Sequence, residues 1–167
     1  MPVLKEMKKR DAEFRGLLYA GLMVDSETEK FWVLEFNARF GDPETQVLLP
    51  RMSDDLYGWC VASAQGDLSR LPTRVPFRNN AAVFVVAAAA GYPGQVETGA
   101  PIELSSSSSI FFSGVQKRGG GLVSSGGRVL GVLGMGNALD LARESAYKKM
   151  NQVHFKGMQY RSDIGKS

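Results

Sequence analysis

Glu35, Asn37 and Arg39 stand two residues apart in the run Glu35-Phe36-Asn37-Ala38-Arg39-Phe40. On an extended strand such spacing puts a carboxylate, an amide and a guanidinium on one face, with Phe36, Ala38 and Phe40 expected toward the core. A hard dication such as Mg²⁺ takes oxygen ligands, and one or two protein groups suffice when substrate phosphates and water complete its octahedron. The Glu35 carboxylate and the Asn37 carbonyl oxygen suit that role. Arg39 offers a fixed fork of donors for a carboxylate or phosphoryl group and would offset negative charge developing during phosphoryl transfer. By spacing alone, the same alternation is also the ordinary signature of a solvated edge strand, and that reading is the stronger one at this point.

Elements on both sides must position these residues. Leu17 to Val24 and Phe31 to Phe36 are apolar runs rich in aromatic and β-branched residues, separated by the polar stretch Asp25 to Lys30, and predict a β-hairpin. Gly41-Asp42-Pro43-Glu44 follows, with Asp42 suited to an N-cap, Pro43 to the first helical position and Glu44 to the positive end of the helix dipole. The helix starting there would carry Val47, Leu48 and Met52 inward. A second helical segment from about Ser53 would bury Leu56, Trp59, Cys60 and Ser63 and stop at Gly66.

Residues 67–80 contain Pro72, Pro76 and the Asn79-Asn80 pair and read as a linker between a hairpin-helix unit, 1–66, and a β-rich lobe, 81–167. Strands are expected over Ala81 to Ala89, Ile110 to Gln116 and Arg128 to Met135, with turns at Ser105 to Ser109 and Lys117 to Gly121. Asn137 should cap a helix through Met150 that buries Leu139, Ala142, Ala146 and Met150. The fold class is α+β.

Composition narrows the function classes. With 44% hydrophobic residues in 167, the chain can bury a sizeable core. Its 20 basic and 17 acidic residues leave a mild, mixed charge that calls for neither a nucleic-acid nor a membrane partner. The longest apolar run, Ala81 to Ala90, is too short to span a membrane. The charged stretch Lys5 to Arg15 does not fit a secretory signal. Cys60 is the one cysteine, so no intrachain disulfide can form and a cytoplasmic setting is expected. With a single histidine besides, a structural zinc site is not expected.

The string Glu35 to Gln46 is more specific than any of these features. Glu-x-Asn-x-Arg at a strand end resembles the metal and phosphate motif of the ATP-grasp superfamily. The full string, with Leu18 to Met23, Gly91 to Gly94, Gly126 to Leu130 and Tyr160 to Gly165 around it, resembles the phosphoribosylamine–glycine ligases over nearly the whole chain. The resemblance implies the tail of an ATP-grasp core, a β-hairpin plus helices, followed by a small C-terminal lobe with a late helix. It also implies an ATP-dependent ligase that joins glycine to 5-phosphoribosylamine in purine synthesis, forming ADP and phosphate through glycyl phosphate. Glu35 and Asn37 would then hold Mg²⁺ or Mn²⁺, and Arg39 would meet the transferring phosphoryl group. Whole ligases of this family are more than twice as long. The N-terminal and central ATP-grasp parts are therefore expected in cis or on another chain, with this chain inactive alone.

Other readings stay open. Asp42 and Glu44 are as well explained by a helix start as by substrate contact. Arg128 suits a ribose phosphate or an exposed strand start. Gly119 to Gly121 read as a hairpin turn rather than a phosphate loop, because no helix start follows. His154 reads as structural or at the surface. Where relatives commonly carry Phe-His-Ala-Gly-Thr, this chain has Phe111-Phe112-Ser113-Gly114-Val115, so a role tied to that histidine or threonine is absent or moved. A catalytically silent interaction domain and a different ATP-grasp carboxylate–amine ligase are the competing functions. The latter would not be expected to continue as Phe-Gly-Asp-Pro-Glu-Thr-Gln.

Overall fold

The computed structural model describes residues 2–105 and 108–166. The chain divides into two units, one comprising Thr45 and the residues before it with Met52–Phe77, the other Gln46–Arg51 with Arg78 onward.

The first unit opens with helix α1, Pro2–Lys9, which the charge-rich sequence did not lead us to expect. Glu6 pairs there with Lys9 and Arg10 at 3.7 and 3.0 Å, exposed contacts that add little stability. The predicted hairpin follows as β1, Tyr19–Val24, antiparallel to β2, Phe31–Asn37.

Helix α2 spans Thr45–Leu48 and runs into a 3₁₀ turn at Leu49–Arg51. The helix therefore starts later than expected, and Asp42 is not its N-cap. The Gly41 carbonyl instead collects both the N–H and the hydroxyl of Thr45, closing a turn over residues 42–44 before helical geometry begins.

Helix α3, Leu56–Gln65, has both its ends chemically defined. The Asp55 carboxylate accepts from the N–H groups of Tyr57 and Gly58 at 3.0 and 3.2 Å, satisfying orphan donors of the first turn. At the other end Gly66 adopts φ 74°, as expected of the stop, and the Gly66 and Asp67 N–H groups return to the Ser63 and Ala62 carbonyls. The Arg15 guanidinium donates to the Gln65 carbonyl at 3.3 Å, placing a cation at the negative helix terminus. The buried face expected of this helix does not form: Leu56, Trp59 and Ser63 are half-buried and Cys60 is exposed.

The second unit is built on a three-stranded antiparallel sheet in the order β3 (Ala81–Ala88), β8 (Arg128–Gly136), β5 (Ile110–Phe112). Helix α4, Leu139–Met150, packs across it. Ala142, Ala146 and Met150 face the sheet with no exposed surface, while Gly134 admits the helix so closely that a Cβ there would lie 2.7 Å from the Ala146 methyl. The core joins these residues to Val83, Val85, Val129, Val132 and Phe155. Leu139, expected on the buried face, is 44% exposed, and Ala138 rather than Asn137 holds the N-cap position, without a side-chain cap.

The strand expected over Ile110 to Gln116 is two strands. β5 pairs with β8, and after Ser113-Gly114 the chain continues as β6, Val115–Arg118, which pairs with β7, Gly121–Ser124. The break comes where Gly114 packs against the Gly126 and Arg128 backbone, with its own N–H bonded to the Arg128 carbonyl at 2.9 Å. Gly119 and Gly120, at φ 57° and 82°, make the β6–β7 turn that the triple glycine predicted. Lys117 and Arg118 belong to β6 instead of the turn. Of the serine turn, Ser106 and Ser107 lie outside the described residues. The short pair β4, Glu103–Leu104, and β9, Val153–His154, sets exposed His154 opposite Glu103. No described helix is long and apolar enough to cross a membrane.

Candidate functional site

The geometry of the β1–β2 hairpin decides which side chains meet. Val24 pairs with Phe31 and Leu22 with Val33, but Gly21 pairs with Glu35 and Tyr19 with Asn37, so the register slips by one at Leu34. The extra residue is a β-bulge. Residues directly opposite in an antiparallel pair share a face, and the slip thereby gathers Tyr19, Gly21, Glu35 and Asn37 on one face.

Contacts follow that register. The Asn37 Nδ2 donates to Glu35 Oε1 at 2.9 Å. Glu35 lies over Gly21, where an added Cβ would come within 3.2 Å of the Glu35 Cγ. The bond uses Glu35 Oε1 and Asn37 Nδ2, and Glu35 Oε2 and Asn37 Oδ1 are the oxygen atoms whose chemistry suits a hard dication. Among the described residues no group of three or more His, Cys, Asp and Glu side chains is gathered as a metal cage.

The strand ends at Asn37, and Ala38-Arg39 form a bend. Arg39 is thus beyond the ladder, with its Nη1 donating to the Phe40 carbonyl at 2.9 Å. Phe36 and Ala38 are exposed and Phe40 is half-buried, so the apolar side of the alternation does not face a core here. Phe36 keeps strand geometry without a layer against it, and Ala38 has left the strand.

Gly41 is buried, and the Glu44 side chain folds back across it so tightly that any Cβ would overlap the carboxylate. From there Glu44 Oε1 accepts the Tyr19 hydroxyl at 3.0 Å. That bond, then burial, then the charges of Glu44 and Glu35 hold the Tyr19 phenol above its ordinary range, while Arg39 pulls the other way. Tyr19 therefore sits within the field of three of the residues singled out by sequence. Neither Tyr19 nor Gly21 was among them. The string Leu18 to Met23 contained both, but only the bulged register reveals which face they occupy.

Asp42 is exposed on the turn after Gly41. Arg128 opens β8 as an exposed residue of the second unit. The paired glycines before it serve close packing: a Cβ on Gly127 would press within 2.6 Å of the Tyr92 ring, and Gly126 abuts Gly114.

Two family models match parts of the chain. The ATP-grasp (A) domain model of phosphoribosylglycinamide synthetase matches residues 1–45, and the C domain model of the same protein matches residues 82–167. The phosphoribosylamine–glycine ligase of Caldanaerobacter subterraneus subsp. tengcongensis is 40% identical over 98% of this chain and 39% of its own length. That of Streptomyces coelicolor is 42% identical over 98% of this chain and 40% of its own. The crystal structure of the Thermotoga maritima phosphoribosylamine–glycine ligase matches with a TM-score of 0.81 and 38% identity, over 94% of this chain and 39% of that one. Kluyveromyces lactis urea carboxylase, 16% identical with a TM-score of 0.57, shares the fold alone.

Fold and site together define an α+β chain in which an ATP-grasp segment is followed by a dedicated C domain. It belongs to the phosphoribosylglycinamide synthetase family. The chain spans about 40% of the length of the curated relatives it matches.

Proposed function

We propose that this chain supplies the metal-binding strand and C-terminal lobe of an ATP-dependent ligase that joins glycine to 5-phosphoribosylamine, releasing ADP and phosphate. The observation that carries the reading is the Glu35–Asn37 pair, a carboxylate and an amide joined by a hydrogen bond on β2 within the string Glu35 to Gln46. Their chemistry fits Mg²⁺ or Mn²⁺, and a bound dication would neutralise phosphate charge on ATP. Glu35 supplies the negative charge of the site, and Asn37 fixes the carboxylate rotamer through its amide.

Arg39, on the bend that follows the strand, is the group we assign to the transferring phosphoryl or the glycyl phosphate. Its planar fork matches two phosphoryl oxygens. Asp42 and Glu44, on the adjoining turn, are candidate contacts to substrate, and Arg128 is a candidate contact to the ribose phosphate. The remaining N-terminal and central ATP-grasp regions act with this chain in cis or in trans, and single-cysteine usage supports a cytoplasmic setting.

Phosphate release in the presence of ATP, Mg²⁺, glycine and 5-phosphoribosylamine tests the reading. Turnover is expected from the chain assembled with those regions and not from the chain by itself. An assembly that binds Mg²⁺-ATP but releases no phosphate on addition of both substrates would return the chain to a catalytically silent structural role.

A further inference from the structure

Residues 38–43 form a loop between two points that are both tied to one residue, Tyr19. At its start, Asn37 pairs across the ladder with Tyr19. At its end, the Glu44 carboxylate accepts the Tyr19 hydroxyl at 3.0 Å. The closing contact is built rather than incidental. The bulge at Leu34 brings Tyr19 to the Asn37 face, buried Gly41 makes room for the returning Glu44 side chain, and the Gly41 carbonyl locks the following turn through Thr45. The loop so closed carries Arg39 and Asp42.

We propose that Tyr19 is a positioning residue: its hydroxyl, through Glu44, clamps the loop 38–43 against β1 and so sets the orientation of Arg39, whose charge already acts on Tyr19. The consequence for catalysis rests on the ligase reading above, whereas the clamp itself does not. A guanidinium that meets a transferring group only in the transition state loses effect when its anchor loosens, even though the metal-holding strand is intact. Tyr19 touches no reacting atom in this scheme and acts through Arg39.

The test has two arms. In the chain itself, Tyr19→Phe removes the donor and leaves both the ring and the β1–β2 ladder. Amide exchange at Thr45 should quicken by about tenfold, while exchange at ladder residues such as Met23 stays within about twofold. Unchanged Thr45 exchange overturns the clamp whatever the chain's activity.

In the assembled ligase, Tyr19→Phe and Glu44→Ala should each lower kcat by about tenfold with the Mg²⁺ half-saturation within about twofold, and the double variant should be little worse than either single one. Glu44→Gln keeps an oxygen acceptor and should lose less than Glu44→Ala. Normal kcat in Tyr19→Phe, or a loss of Mg²⁺ affinity matching the loss of kcat, overturns the positioning role. A parent assembly without turnover but with the quickened Thr45 amide sinks the ligase reading and supports the clamp.

Discussion

Asn37 Nδ2 donates to Glu35 Oε1 at 2.9 Å along one face of β2, so the amide and the carboxylate operate as a unit. Losing either partner should disturb the other. In the assembled ligase, Glu35→Gln keeps the size of the side chain but removes its charge, and the Mg²⁺ half-saturation should rise by about tenfold or more with activity only partly recovered at high Mg²⁺. Asn37→Ala should act in the same direction by releasing the Glu35 rotamer. Ala38→Ser, in an exposed bend, should change stability by no more than about 0.5 kcal/mol and leave the metal dependence unaltered. Phosphate release measured across a Mg²⁺ series separates these outcomes.

The hairpin carrying this site is largely unclothed. Phe31 and Leu34 are 63% exposed and Trp32 is 54% exposed. A two-stranded ribbon is marginal in water, and contiguous exposed apolar side chains promote association. The chain should therefore show an apparent mass that rises with concentration in size-exclusion chromatography with light scattering. Leu34→Lys, at the bulge, should lower that dependence. A monomer at every concentration, with well-protected amides throughout β1 and β2, would contradict the expectation.

Part of this arrangement was legible in the sequence. The hairpin, the α3 stop at Gly66, the glycine turn of β6–β7 and the long strands β3 and β8 follow from apolar runs and turn chemistry, which are local signals. The face of Tyr19 was not. Counting back from the Val24–Phe31 pair sets Tyr19 opposite Phe36, on the wrong side, and only the bulge at Leu34 moves it to Asn37. A bulge depends on packing across the ladder and leaves no composition signature. Likewise, Asp42-Pro43-Glu44 has every residue a helix start prefers, yet the Gly41 carbonyl bonded to Thr45 holds these residues in a turn. The Ile110 to Gln116 run reads as one strand because the backbone approach of Gly114 to Gly126 is a contact between distant residues.

In the second unit the close approach of α4 to β8 is the most sensitive packing feature. A methyl group on Gly134 would overlap the Ala142 carbonyl and press on Ala146, both buried. Gly134→Ala should cost about 1–3 kcal/mol through overpacking, seen as a lower urea midpoint with an unchanged slope. Met150→Ala, which opens a cavity in the same core, should cost about 2–5 kcal/mol.

Acid should loosen the entry to α3 in the first unit. The Trp59 indole N–H donates to Asp54 Oδ2 at 2.8 Å, and this bond, followed by the Asp55 N–H, holds the Asp54 carboxyl below its usual range. A carboxyl depressed on folding contributes stability above its unfolded pKa, near about 3.9, and loses it as pH falls through the folded value. Trp59 fluorescence followed from pH 7 to pH 2 should report the release of the indole in that acid window. Asp54→Asn should remove the acid transition from the signal. An unchanged transition in that variant would assign it to another carboxylate.

Arg39 gives the sharpest separation between binding and chemistry. It sits beyond the last ladder pair of β2 and is held to its own segment by Nη1 on the Phe40 carbonyl, so replacing it should leave the strand and the Glu35–Asn37 pair undisturbed. Lysine at this position keeps the positive charge but loses the planar fork, and a point charge on a flexible stem cannot grip two phosphoryl oxygens at once. If Arg39 meets the phosphoryl group mainly as it transfers, Arg39→Lys in the assembled ligase should lower kcat by about tenfold to a hundredfold while the affinity for Mg²⁺-ATP changes by less than about threefold. Single-turnover phosphate release together with nucleotide titration measures the two quantities separately. A kcat near that of the parent at limiting Mg²⁺, both in this variant and in Glu35→Gln, would leave the alternation on β2 as the solvated face of an edge strand.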